Sequence, residues 1–235
     1  MLRWVPLSWL PLEWQRRRLL ATAPKGSALA AYLQQPLPRP TAPSESTEFL
    51  ALDFETTGFK PNEHRIVSMG WVVIRNEGIQ LSDAQHIVIR PEAALAADSV
   101  TVHGITDSHA ESGISERIAL DQLLNALRGR VLLAHHVEIE AGFLRAACLR
   151  QYGSALPFLN IDTLQLSKRV LGRQTEGPFA PGALRLFNLR EHFGLPRYRA
   201  HSALEDALSA AELFLALLAE IRGNSRSVAL TQLLH

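Results

Sequence analysis

The stretch that most constrains how this chain folds is Phe49-Leu50-Ala51-Leu52-Asp53-Phe54-Glu55-Thr56-Thr57-Gly58, an apolar run that gains two carboxylates and then stops at a turn. It reads as a β-strand with chemistry at its exit. Side chains on a strand alternate between faces, so Asp53 and Glu55 project from one side and Phe54 from the other. Carboxylates held side by side repel, and the arrangement persists only if one takes up a proton or a cation sits between them. A polar strand end in solvent also accounts for a lone Asp-x-Glu pair. Further acids downstream decide between a divalent cation and that plainer reading.

The chain has 235 residues, 47% of them hydrophobic, enough for one full core plus an appendage. Its single cysteine, Cys148, excludes an internal disulfide and fits a reducing cytoplasm. A formal net charge of +1 is too small to make the whole surface a nucleic-acid track, so any polyanion must be gripped locally. The N-terminal segment to Glu45 is the basic part, with Arg3, Arg16, Arg17, Arg18, Lys25 and Arg39 against Glu13 and Glu45. It also holds Trp4, Trp9 and Trp14. Pro11 and Glu13 interrupt its apolar run and the arginines follow that run, which argues against a secretory signal. No run approaches the length of a transmembrane span. Ser27 to Gln35 reads as a short capped helix, and Pro36 to Pro40 as a stiff extended linker. The segment is expected either to pack over the domain, to bind a protein partner as an arm, or to touch an anionic surface.

After the first strand, Arg65 to Arg75 reads as a second strand and Ile79 to Arg90 as a third. The short Asn76-Glu77-Gly78 link between them predicts an antiparallel hairpin. A loop at Val102-His103-Gly104-Ile105-Thr106 leads to a helix from Ser115 to Leu127, with Ile118, Leu120, Leu123, Leu124 and Leu127 on its apolar side. Arg130 to Ala134 suits a buried strand, followed at once by a helix from about Val137 to Gln151. At that junction, His135 and His136 read as hydrogen-bonding supports more readily than as metal ligands. Glu140 shares a helix face with Phe143 and Leu144, which places a carboxylate inward, whereas Glu138 turns to solvent. Asp162, ending a short strand at Phe158 to Thr163, reads as a helix cap. Gly172 to Gly182 is a loop, Leu184 to Phe193 a helix, and His201-Ser202-Ala203-Leu204-Glu205-Asp206-Ala207 opens a long final helix. Its geometry lets His201 lean over Asp206 in the second turn, with Glu205 in solvent.

The segments Leu52 to Gly58, His135 to Leu144 and His201 to Ala207 together resemble the three motifs of the DEDDh 3′-to-5′ exonucleases, the group of the DNA polymerase III epsilon subunit and ribonuclease T. The likeness runs from about Phe49 to Ile221 and includes the loop around His103. It departs at Glu140, where the family has aspartate, and at His136, where asparagine is usual. The resemblance implies an α/β, ribonuclease H-like exonuclease fold, with a mixed five-stranded sheet flanked by helices. The expected divisions are an N-terminal Trp- and Arg-rich extension with a Pro-rich linker over 1–45, the exonuclease domain over 46–222, and a tail over 223–235.

The same resemblance implies metal-dependent removal of nucleoside 5′-monophosphates from single-stranded 3′ ends, DNA favoured over RNA. Asp53, Glu55, Glu140 and Asp206 would hold two Mg²⁺ ions, which Mn²⁺ can replace, since all the ligands are hard oxygen donors. His201 would take the proton from the attacking water. Thr56, Thr57, Gly58, Phe59 and His103 are the expected substrate contacts, with Phe59 stacking on terminal bases. Arg185, Arg190, Arg197 and Arg199 stand as phosphate contacts or as a solvated face. Two alternatives stay open: an RNA- or short-oligonucleotide-trimming enzyme, and a catalytically weakened scaffold acting through residues 1–45.

Overall fold

In a computed structural model, residues 11–90, 113–172, 177–198 and 202–234 are described. Five strands form one mixed sheet of order β3-β2-β1-β4-β5, with β1 at Phe49–Thr56, β2 at Ile66–Arg75, β3 at Gly78–Val88, β4 at Val131–Ala134 and β5 at Asn160–Asp162. β1, β2 and β3 run antiparallel in sequence, while β4 joins β1 in parallel and β5 joins β4 in parallel. The hairpin between β2 and β3 turns through Asn76 and Glu77, both at positive φ. These are the backbone conformations that a type I′ connection demands.

Helices cover both faces of the sheet. On one side lie α1 (Leu12–Leu20), α2 (Ala28–Gln34), α3 (Glu116–Leu127) and α4 (Glu138–Tyr152). On the other lie α5 (Thr163–Leu171), α6 (Leu186–His192) and α7 (Ala203–Arg222). The alternation along β1 assigns the two faces: Leu50, Leu52 and Phe54 join the first core cluster, and Phe49 and Ala51 the second, beneath α7. Asp53 and Glu55 continue the parity of Phe49 and Ala51, so both carboxylates face α7.

Local chemistry explains the element ends. Ser115 caps α3 by accepting from the Ile118 N–H, and Ser27 caps α2 by accepting from Ala30. Ile118, expected on the apolar side of α3, is instead 50% exposed, because the buried stripe runs through Ala119, Leu120, Leu123, Leu124 and Leu127. α4 ends at Gly153 in the left-handed conformation, its N–H bonded to the Leu149 carbonyl.

Residues 12–34 pack onto the domain. Leu29, Tyr32 and Leu33 belong to the first core cluster, and the Tyr32 hydroxyl donates to the Pro157 carbonyl at 2.8 Å. Arg16 is buried against Glu13 and the Leu33 carbonyl. Trp14 is exposed, and Trp4 and Trp9 lie outside the described residues. The segment after Pro40 runs beside the C-terminal residues: Pro43 bridges Ala229, and Val228, Leu230 and Leu233 are buried in the second cluster. Among the described residues no helix is long and apolar enough to cross a membrane.

Candidate active site

Three elements converge at the C-terminal end of β1. Carboxylate oxygens of Asp53, Glu55 and Asp206 lie within 4.8 Å of one another. β1 places the first two by strand alternation, and the first turn of α7, one turn earlier than the sequence suggested because the helix starts only at Ala203, brings Asp206 over them. Close approach is possible because Gly70, paired with Asp53 across the ladder, has no side chain: a Cβ there would stand 2.2 Å from the Leu204 nitrogen. The pairing of β1 with β2 shifts register between Glu55 and Thr56, so the strand leaves the ladder where the acids end.

Glu140 stands outside that tight trio but acts on it. It occupies the first turn of α4, is 4% exposed, and its Oε2 has no hydrogen-bond partner among the described residues. Burial pushes its carboxyl up to about 8, opposed by a bond to its own backbone amide. The Asp53 carboxyl is also held well above the usual range, first by burial and then by the charges of Glu140, Asp206 and Glu55. Four acids drawn together at this depth repel one another unless protons or cations compensate. An all-oxygen donor set with an unmatched buried carboxylate oxygen fits a hard divalent cation.

Asp162 ties the junction together, acting as the expected cap. Its Oδ1 accepts from the Leu164 N–H at the start of α5 and from the His136 N–H before α4, both at 2.9 Å. His136 has φ of 70°, a left-handed conformation in which asparagine, aspartate and histidine are enriched. The histidine in place of the family's usual asparagine therefore suits the backbone. His135 is a support: Thr163 Oγ1 lies 2.8 Å from Nδ1 and the Leu184 carbonyl 3.0 Å from Nε2. Since that carbonyl only accepts, Nε2 carries the proton, and burial keeps the ring neutral by lowering its pKa.

At the turn after β1, Thr56 Oγ1 donates to the Gly58 carbonyl at 2.8 Å, and Thr57 Oγ1 accepts from the Arg65 N–H at 3.0 Å. Phe59 follows, 86% exposed. His103, with the rest of its loop, His201 and Arg199 lie outside the described residues, as does part of the 172–182 loop. Two expectations require correction. Arg190 is not a free phosphate contact: it is 2% exposed, donating to the Ser209 carbonyl, the Pro196 carbonyl and Glu212. Glu205 is only partly exposed, and its Oε2 is buried without a partner among the described residues. Glu138 is exposed, as its helix phase predicts. Sequence reasoning missed Ser68, buried opposite Glu55, because a single serine in an apolar strand carries no pattern.

A mixed sheet of this order, with acids gathered over its central strand from β1 and a C-terminal helix, is the ribonuclease H-like architecture of DEDDh exonucleases. The nuclease domain of 3′hExo, described as a DEDDh family member bound to rAMP, shares it with a TM-score of 0.63 at 19% identity, over 80% of this chain and 98% of that one. A family model described as "Exonuclease" matches residues 50–214, and the chain belongs to that family. "DNA polymerase III PolC-type" of Thermotoga petrophila is 32% identical over 171 residues, 73% of this chain but only 12% of that relative. "DNA polymerase III subunit epsilon" of Treponema pallidum is 30% identical over 178 residues, 74% of this chain and 78% of that relative. The chain thus spans a small part of the PolC-type relatives and most of the epsilon subunit.

Proposed function

We propose that this protein is a divalent-cation-dependent 3′-to-5′ exonuclease that removes nucleoside 5′-monophosphates from single-stranded DNA ends. The observation that carries the reading is the meeting of Asp53, Glu55 and Asp206 within 4.8 Å. The family match supports the reaction, and the polymerase-subunit names of the relatives support DNA.

Asp53, Glu55 and Asp206 would hold one divalent cation, for which Mg²⁺ suits the all-oxygen donors, and Glu140 with its unmatched Oε2 would serve a second. Two such ions, when bound, supply an activated water and neutralise charge on the attacking and leaving oxygens. Glutamate at position 140 is one methylene longer than aspartate, about 1.5 Å of extra reach. His201 accepts the proton from the attacking water. The Thr56-Thr57-Gly58 turn, braced by its own hydrogen bonds, presents backbone groups to the terminal nucleotide, and His103 serves as a further substrate contact. Phe59 offers an exposed ring on which any terminal base can stack, which suits a substrate taken without sequence preference.

Digestion of matched DNA and RNA oligonucleotides labelled at either end, with Mg²⁺, Mn²⁺ or EDTA, tests the proposal. Stepwise shortening from the 3′ end, lost in EDTA and in His201→Ala, is the expected result. Faster loss of RNA would move the preference to trimming of RNA, and no cleavage by the wild type with any cation would overturn the enzymatic reading in favour of a scaffold.

A further inference from the structure

Ser68 pairs with Glu55 in the ladder between β1 and β2. Along β2, Met69, Trp71 and Val73 enter the first core cluster, and Val72 and Ile74 enter the second, beneath α7. Ser68 shares the parity of Val72 and Ile74, so its side chain lies on the face that carries Asp53 and Glu55. Gly70, two residues on, makes the same assignment independently, since the space of its missing Cβ is filled by the backbone of Ala203 and Leu204. Directly opposed residues on one face stand about 4.5–5.5 Å apart at Cβ. The Ser68 hydroxyl is therefore a neighbour of the Glu55 carboxylate.

That hydroxyl is 0% exposed, and Ser68 Oγ has no hydrogen-bond partner among the described residues. A buried hydroxyl left without a partner is costly, and native interiors satisfy such groups with protein, water or an ion. Alanine would fill the same place without that cost. Glu140 Oε2, on the acid whose charge acts on Asp53, is a second buried polar atom in the same condition. Ser68 Oγ, opposite Glu55, and Glu140 Oε2, on one of the four acids, share one explanation: their partners arrive with the cation and its water shell.

We infer that Ser68 is a positioning residue of the metal centre. Its Oγ–H donates to a water molecule in the shell of the cation held by Glu55 and Asp206, and so orients that water beside Glu55. The inference rests on the nuclease reading above. Serine suits the task because its hydroxyl rotates to the direction its partner requires, and β2 is a central strand buried on both faces, which fixes its Cβ. Groups that hold metal ligands from behind in this way change metal affinity by about 10- to 100-fold when removed.

The test is titration of the full chain with Mn²⁺, followed by electron paramagnetic resonance, for wild type, Ser68→Ala, Ser68→Cys and Asp53→Ala, with thermal midpoints of each in EDTA. Ser68→Ala is expected to bind Mn²⁺ about tenfold more weakly while keeping or raising its midpoint in EDTA. Ser68→Cys, similar in shape but a weak donor, is expected to show the same loss. A merely structural serine would lower the midpoint in EDTA and leave Mn²⁺ affinity alone. Wild-type affinity in both Ser68 variants overturns the inference and leaves the nuclease reading standing. Failure of the wild type to bind Mn²⁺ more tightly than Asp53→Ala overturns both.

Discussion

Gly70 and Leu204 meet so closely that a Cβ on the glycine would lie 2.2 Å from the Leu204 backbone nitrogen. Leu204 sits two residues before Asp206, and Gly70 faces Asp53 across the ladder, so this contact sets the depth at which α7 enters the site. The opposing atoms are backbone and cannot swing aside. Gly70→Ala is therefore expected to push the start of α7 outward, lowering stability by about 1–3 kcal/mol. The same shift separates Asp206 from Asp53. Denaturant unfolding and Mn²⁺ titration of the variant check both effects, and a variant with wild-type affinity would mean that α7 is held elsewhere.

Stability of the metal-free protein is expected to fall as pH rises from about 4.5 to about 8. Glu140 has an ordinary value of 4.5 and is held up to about 8 in the folded chain, and Asp53 is raised as well. Between those limits the folded state keeps protons that the unfolded chain has already released, so deprotonation favours unfolding across that window. Below about 4.5 both states are protonated and the contribution is constant. Added Mg²⁺ reverses the trend, because cation binding displaces those protons and strengthens with pH. Thermal melts across this range with EDTA or Mg²⁺ read both slopes, and parallel curves would contradict the assignment.

Phe59→Ala is expected to leave folding intact, since the ring is 86% exposed. Base stacking on an aromatic contributes about 1–3 kcal/mol. KM for single-stranded DNA should therefore rise by about 5- to 150-fold, with kcat changing much less. Steady-state kinetics on a short oligonucleotide separate the two, and an unchanged KM would remove Phe59 from the substrate path.

Asp162→Ala removes one acceptor from two amide donors at once, those of Leu164 and His136. Loss of the α5 cap alone costs about 0.5–2 kcal/mol. Freeing the His136 amide also loosens the left-handed turn that aims the first turn of α4, and with it Glu140. The variant should show a lowered unfolding midpoint together with weakened Mn²⁺ binding, whereas Glu138→Ala, exposed on the same helix, should show neither. Equal behaviour of the two variants would separate Asp162 from the site.

Much of the fold was legible because its signals are local. The apolar runs of β1, β2 and β4 are bounded by turns, Ser115 and Ser27 announce their helices, and Asp162 caps α5 as its position at a strand end suggests. The inward phase of Glu140 followed from Phe143 and Leu144 on the same helix face, and it is buried. Arg190 was misread because an arginine in a helix near a catalytic motif gives no local sign of burial. Only packing against α7 brings Glu212 and the carbonyls of Ser209 and Pro196 around its guanidinium.

By itself, the sequence determined that Asp53 and Glu55 share a strand face, that Glu140 points inward and that Asp206 lies near the start of a long helix, because periodicity alone sets the direction of a side chain within its own element. Only the tertiary structure decided that Asp206 closes on the strand pair while Glu140 stands just outside, that Gly70 leaves room for that closure, and that Ser68 is buried opposite Glu55. Those relations depend on strand register and on how deeply one backbone settles against another. Both are set by contacts between residues distant in the chain, which no local pattern encodes.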